Sequence, residues 1–165
     1  MMAKLAQFNE TLLTAGRRIY QDNLITIAIF GSWARETASP CSDIDLLLVA
    51  DKLPDGRMKR MAQFKSVEEA TMVDRKTIWN EMPDVPAPEL SPVIKTPAEV
   101  AAGSPLFLDM TDWIHFLFDR DLFFAGYLAG LKSRLKTLGA RRHWAAGGYY
   151  WEYKPDSKPS EVIVL

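Results

Sequence analysis

The chain has 165 residues, 48% of them apolar and 25% charged, with a formal net charge of −1. That length suits one compact domain. The balance excludes long disorder, a collagen-like repeat, and a global field that would draw in DNA or an acidic membrane. A single cysteine, Cys41, excludes an intrachain disulfide and a thiolate zinc site, and only His115 and His143 stand beside it. Carboxylates remain as metal ligands, and they favour hard ions such as Mg²⁺ or Mn²⁺. Lys4, Glu10, Arg17 and Arg18 interrupt the apolar residues of the N-terminus, so it does not read as a signal peptide. No apolar run is long enough to span a bilayer. A cytoplasmic protein with no membrane partner is expected.

In chain order, Leu5, Phe8, Leu12, Leu13 and Ile19 recur at helical spacing, which predicts an amphipathic helix over 3–21. Residues 24–30 form a β-branched apolar run and predict a strand. Gly31-Ser32 ends it, and 33–37 reads as the first turns of a helix, stopped by Ala38, Ser39 and Pro40. The nearly continuous apolar run 44–49 predicts a strand buried on both faces. A turn at 54–56 leads into a helix over 57–71 with Met58, Met61, Phe64 and Val67 inward, and 73–79 reads as a strand.

Pro83, Pro86, Pro88 and Pro92 make 82–92 a loop that enters an edge strand over 89–94. Thr96, Pro97 and Glu99 signal the start of a short helix. A strand over 113–118 follows, then a helix over 119–138 packed through Leu122, Phe123, Leu128, Leu131 and Leu135 and ended by Gly139. Residues 1–138 read as one α/β domain. Residues 139–165 read as an aromatic-rich extension packed on it.

The chemistry concentrates in residues 30–49. Glycine at 31 lets a ligand approach the backbone closely. Ser32 opens a helix whose free N–H groups favour a phosphate. Asp43 and Asp45 are two apart on a strand, so their carboxylates share a face and repel one another unless a cation lies between them. A lone Asp-x-Asp is a weak signal, and Gly-Ser pairs end many strands. The specific feature is the combination of Gly-Ser after a strand, a short helix, and Ser-Asp-Ile-Asp before an apolar strand.

Phe30-Gly31-Ser32-Trp33-Ala34-Arg35 with Ser42-Asp43-Ile44-Asp45-Leu46-Leu47-Leu48-Val49 resembles the minimal nucleotidyltransferases of the DNA polymerase beta superfamily. A weaker resemblance continues through 90–94, 118–121 and 150–155. The resemblance implies the nucleotidyltransferase fold, a mixed β-sheet flanked by helices in the α/β (α+β) class. It also implies two Mg²⁺ ions, with Mn²⁺ an alternative, and ATP or another NTP as substrate. Carried over by position, Gly31 and Ser32 hold the triphosphate, with Arg35 and Ser42 counted beside them as nucleotide-binding residues. Asp43 and Asp45 bind the metals. A third acid is expected on a neighbouring strand, and Glu89 is the residue in the matching sequence order, with Asp74 and Asp109 as weaker alternatives. Arg35 reads equally as a phosphate contact or as a surface partner of Glu36 or Asp51. Glu36 departs from the pattern, because family members usually carry glycine there.

Several features have a plainer reading. Tyr149, Trp151 and Tyr153 alternate as the body-facing side of a strand, a better account than a base-stacking surface for single-stranded nucleic acid. His115 reads as a hydrogen-bonded structural residue and Cys41 as an incidental loop thiol. Met58, Met61 and Met72 read as core or interface filler. Asp119 and Asp121 read as the cap and first turn of the last helix.

The resemblance favours transfer of a nucleoside monophosphate, AMP from ATP, to a protein or small-molecule hydroxyl. A small helical HEPN-type toxin is the implied partner, or a second copy of the chain would complete the acceptor side. The alternative is a catalytically weak nucleotide- or partner-binding module that keeps the fold. An antibiotic-modifying enzyme is disfavoured, because the chain is short for enclosing an aminoglycoside.

Overall fold

The computed structural model of the chain describes residues 2–39, 41–79, 86–145, 148–155 and 157. The predicted loop over 82–92 therefore lies partly outside the described residues, as do Pro40 and the last residues of the tail.

Helix α1 (Met2–Tyr20) leads through a 3₁₀ turn (Gln21–Asn23) into β1 (Leu24–Phe30), then α2 (Gly31–Ala34) and β2 (Ile44–Ala50). Helix α3 (Arg57–Trp79) precedes β3 (Leu90–Lys95), α4 (Pro97–Ala101), α5 (Phe107–Met110) and β4 (His115–Asp119). A second 3₁₀ turn (Arg120–Leu122), α6 (Phe123–Leu138), β5 (Arg141–Ala145) and β6 (Gly148–Glu152) complete the order. Strands β3-β2-β1-β4 form one mixed sheet, with β2 and β3 parallel and the other two pairs antiparallel; β5 and β6 form a separate antiparallel ribbon.

The residues of β1 and β2 alternate between two buried clusters, which is why both strands read as nearly unbroken apolar runs. Ile44, Leu46, Leu48 and Ala50 face α1 and α3, where Phe8, Leu12, Phe64 and Val67 cover them. Leu47 and Val49 face the other way, against Val100, Phe107, Phe124, Leu128 and Leu131 of α4, α5 and α6. The ribbon joins this second cluster through Trp151, with Tyr153 and Ala140 beside it. Arg142 fastens it. Its guanidinium lies 4.3 Å from the Trp113 ring centroid and 4.6 Å from that of Trp151, and donates to Asp112 at 3.0 Å.

Several sequence expectations are corrected. The segment 73–79, expected as a strand, forms the last turns of α3. Phe64, Val67, Thr71 and Ile78 are buried at helical spacing, and Thr71 and Thr77 bond back to the carbonyls of Val67 and Val73. Packing of Trp79 edge-on against Phe8 and Trp33 outweighs the local β preference.

Helix α6 begins at Phe123 rather than 119, because Asp121 and Leu122 take left-handed backbone angles (φ 51° and 55°). Leu122, expected in the core, is 71% exposed. Asp119 still caps the helix as expected, but from the end of β4: its carboxylate accepts the N–H groups of Phe124 and Ala125. Met58 and Met72 are exposed, and Met61 alone of the three packs against the core. The cap at Thr96 is as expected, with a full capping box to Glu99. Arg60 completes it by pairing with the Glu99 carboxylate at 2.7 Å.

Candidate active site

The site forms where β1 ends and β2 begins. Phe30 at the end of β1 pairs with Asp45, which brings Gly31 over the Asp45 carboxylate. Gly31 has φ +69°, a conformation that L side chains rarely adopt. A Cβ built on it would lie 2.1 Å from Asp45 Oδ2. Glycine is therefore required twice at this position, by backbone angle and by the carboxylate beside it. From Gly31 the chain makes one short helical turn, with the Arg35 N–H bonded to the Gly31 carbonyl.

The return loop is closed by serine hydroxyls. The Ser42 hydroxyl accepts the Ser39 N–H at 2.9 Å, and the Ser42 carbonyl accepts the indole N–H of buried Trp33 at 3.2 Å. Ser42 thus shapes the loop that delivers Asp43. Glu36 sits in the same loop with φ +60°, so the position that departs from the family pattern is one that glycine would occupy without strain.

Asp43 is exposed and Asp45 half-buried. Burial first, and then the negative charge of Asp43, push the Asp45 carboxyl above its ordinary range; Arg35 pulls it the other way. Two carboxylates share the corner against a single guanidinium, an excess of negative charge that a cation would offset. Arg35 does not take Asp51, which lies past the far end of β2 and pairs with Arg120 at 3.4 Å.

Glu89 is not brought to this corner. It precedes β3, its carbonyl accepts the Ile44 N–H at 2.8 Å, and its side chain lines a groove with Lys65, Glu68 and Arg75 of α3. The residue paired with Asp45 on β3 is Ser91. Among the described residues, no three of His, Cys, Asp and Glu gather in a set able to hold a metal ion. Asp74 is bonded to Thr11 between α1 and α3.

Asp109 lies on α5, beside Tyr149 of the ribbon. Burial, then the hydrogen bond to Asp109, push the Tyr149 phenol up, while Arg35 and Arg142 pull it down. The charge of Arg35 is thus felt both at the carboxylate corner and at the ribbon. Sequence reading missed this link and the place of Ser91. The period-two alternation of 149–153 pointed to the body-facing side of β6, but not to what that side meets.

Comparison with known proteins agrees with the motif. Residues 17–82 match the family described as "Polymerase beta, Nucleotidyltransferase". The Methanocaldococcus jannaschii protein described as "Putative protein adenylyltransferase MJ1305" is 31% identical over 121 residues, 72% of this chain and 75% of that protein. The chain belongs to the nucleotidyltransferases of the polymerase beta superfamily.

Its mixed four-stranded sheet flanked by helices is the nucleotidyltransferase fold. Among solved structures, a chain of a toxin–antitoxin complex with AMP-PNP is similar at a TM-score of 0.49 and 18% identity, over 79% of this chain and 93% of that one. A chain of the Shewanella oneidensis complex of a tri-AMPylated HEPN toxin with an MNT antitoxin gives a TM-score of 0.48 and 17% identity, over 80% and 87%. Among the described residues of this nucleotidyltransferase, no helix is long and apolar enough to cross a membrane.

Proposed function

We propose that this nucleotidyltransferase moves AMP from ATP to a hydroxyl of a protein acceptor. The observation that carries the reading is the corner itself, where Gly31, free of a Cβ, is seated on Asp45, with Asp43 just before β2 and its negative charge felt by Asp45. That corner fits a divalent cation, because its two carboxylates outnumber the positive charge of Arg35 and Asp45 is only half-buried. Asp43 and Asp45 would hold Mg²⁺ or Mn²⁺. When bound, the ion would neutralise the triphosphate and make the acceptor hydroxyl a stronger nucleophile.

The chain's own residues supply position. Gly31 and Ser32 would present backbone N–H groups to the phosphates, and Arg35 would place its charge beside them. The acceptor oxygen bonds to the α-phosphorus as the bond to the bridging oxygen breaks. Pyrophosphate leaves with the electron pair, and the hydroxyl proton passes to a carboxylate or to water. A protein acceptor is supported by the 31% identical relative, whose description is that of a protein adenylyltransferase. The sequence resemblance names a HEPN-type helical protein as the acceptor to try first.

The test is transfer of label from α-labelled ATP in the presence of Mg²⁺, to the chain itself and to a co-expressed HEPN-type protein. Asp43→Asn and Asp45→Asn should each lower the transfer by about 100-fold or more. Transfer that persists in both variants would sink the reading. Partner binding retained with no transfer by the unaltered protein would establish the binding-module alternative.

A further inference from the structure

The ribbon lies outside residues 17–82 that match the family, and it carries an aromatic side chain that the fold leaves open. Across β5 and β6, Arg142 pairs with Trp151 and Trp144 with Tyr149, so these four share one face. Three rings cover Arg142 there: Trp113, Trp151 and, at 5.0 Å, Tyr149. Tyr149 is half-buried, with its ring centroid 6.4 Å from that of Trp113 and 5.1 Å from that of Trp144. Trp144 itself is 69% exposed. On the opposite face Tyr150 is exposed as well, but it is already stacked on His143 at 5.1 Å.

This face is anchored beside the carboxylate corner. Ile29 pairs with His115, the first residue of β4, and Phe30 pairs with Asp45 of β2. Trp113 comes two residues before His115, past the end of β4 that adjoins the β1–Gly31 junction. Gly31 thus has the Asp45 carboxylate on one flank and, on the other, the segment that seats the ribbon. The charge of Arg35 pulls down the Asp45 carboxyl and the Tyr149 phenol alike.

Gly31, Ser32, Arg35 and the two carboxylates suit phosphates and a cation, and none of them is a stacking surface. An exposed indole forgoes the burial its ring would gain, and every nucleobase offers a π-face to such a ring. We propose that Trp144, backed by Tyr149, stacks the base of the bound nucleotide, so that the ribbon forms the base-side wall of the site. The inference rests on the nucleotide-binding reading of the corner above. Stacking tolerates any base, so Trp144 adds affinity rather than a choice of base.

The experiment is isothermal titration of the full chain with Mg²⁺ present, comparing a non-hydrolysable ATP analogue with inorganic tripolyphosphate, which has no base. Trp144→Ala should weaken the analogue by roughly tenfold, the effect of one lost stack. It should leave tripolyphosphate within about twofold. Trp144→Leu, which keeps apolar bulk without a ring, should behave like the alanine variant and decides in its place if that variant does not fold. Trp144→Phe should retain most of the affinity.

Undiminished analogue binding by Trp144→Ala would overturn the inference, as would an equal loss of both ligands. Undiminished analogue binding with reduced transfer to a protein acceptor would overturn it too, and would assign Trp144 to the acceptor. Tripolyphosphate bound as tightly as the analogue by the unaltered protein would strike this inference and leave the corner reading standing. Neither ligand bound would strike both.

Discussion

The two faces of β2 divide the work of this molecule between neighbouring residues. On one face Ile44, Leu46, Leu48 and Ala50 are sealed from end to end under α1 and α3. On the other, Leu47 and Val49 are sealed under α4, α5 and α6, but Asp45 at the near end is left half-open. A strand turns alternate side chains to opposite faces, so one seven-residue segment anchors a core and presents a carboxylate without compromise between the two. What differs is where the covering helices stop. The second face is covered only from Leu47 onward, and Asp45 sits in the gap.

That division is most sharply tested by breaking the sealed face. Phe64→Ala empties a fully buried ring position and should cost about 3–5 kcal/mol, read from urea unfolding. Transfer per folded molecule should stay within about twofold, since the site lies across the sheet. Gly31→Ala is the converse. It places a methyl against Asp45 and a non-glycine residue at φ +69°, and transfer should fall by about 100-fold, roughly 2.7 kcal/mol. Mn²⁺ binding should weaken with it.

Glu36→Gly relieves the left-handed backbone in the site loop and should stabilise by roughly 0.5–1 kcal/mol in the same unfolding assay. The smallest effect is Asp45→Asn in the metal-free protein. The raised carboxyl means the folded state binds the Asp45 proton more tightly than the unfolded chain does. Native stability is therefore lost as pH rises through that carboxyl's range. The neutral isostere should raise Tm at neutral pH, by less than the roughly 2–4 °C that 1 kcal/mol moves a domain of this size. The gain should vanish as the pH falls into the carboxylate range. A variant that is more stable and inactive would identify Asp45 as a residue kept for function at some cost to the fold.

The sequence made the near corner legible because its signals are local. Gly31, Asp43 and Asp45 act through backbone angle and period-two spacing, both of which can be read from adjacent letters. The strands β1 and β2 were equally clear, since burial on both faces leaves an unbroken apolar run. What could not be read depended on contacts between distant segments. Ile78 and Trp79 look like strand residues until α1 supplies the surface that makes them helical. Leu122 looks like a packing residue until the left-handed turn before α6 throws it outward.

The third carboxylate shows the limit most clearly. Glu89 and Ser91 differ by two positions on a proline-rich approach to β3, and only the pairing with β2 decides which one stands beside Asp45. Likewise, nothing in the alternation of 149–153 announced that Tyr149 would meet Asp109 and approach Arg35.

The short return between β1 and β2 also bears on how the chain reaches this structure. These two strands pair antiparallel across a loop of residues 31–43, whereas β3 can join β2 only after the whole of α3 has been laid down. Closing the shorter loop loses less chain entropy, so the β1–β2 pairing is favoured to nucleate the sheet. The loop that closes bears Gly31 and Asp43 and leads into Asp45, so the carboxylate corner forms with this first pairing. Substitutions there would be felt in the rate of folding as well as in the rate of transfer.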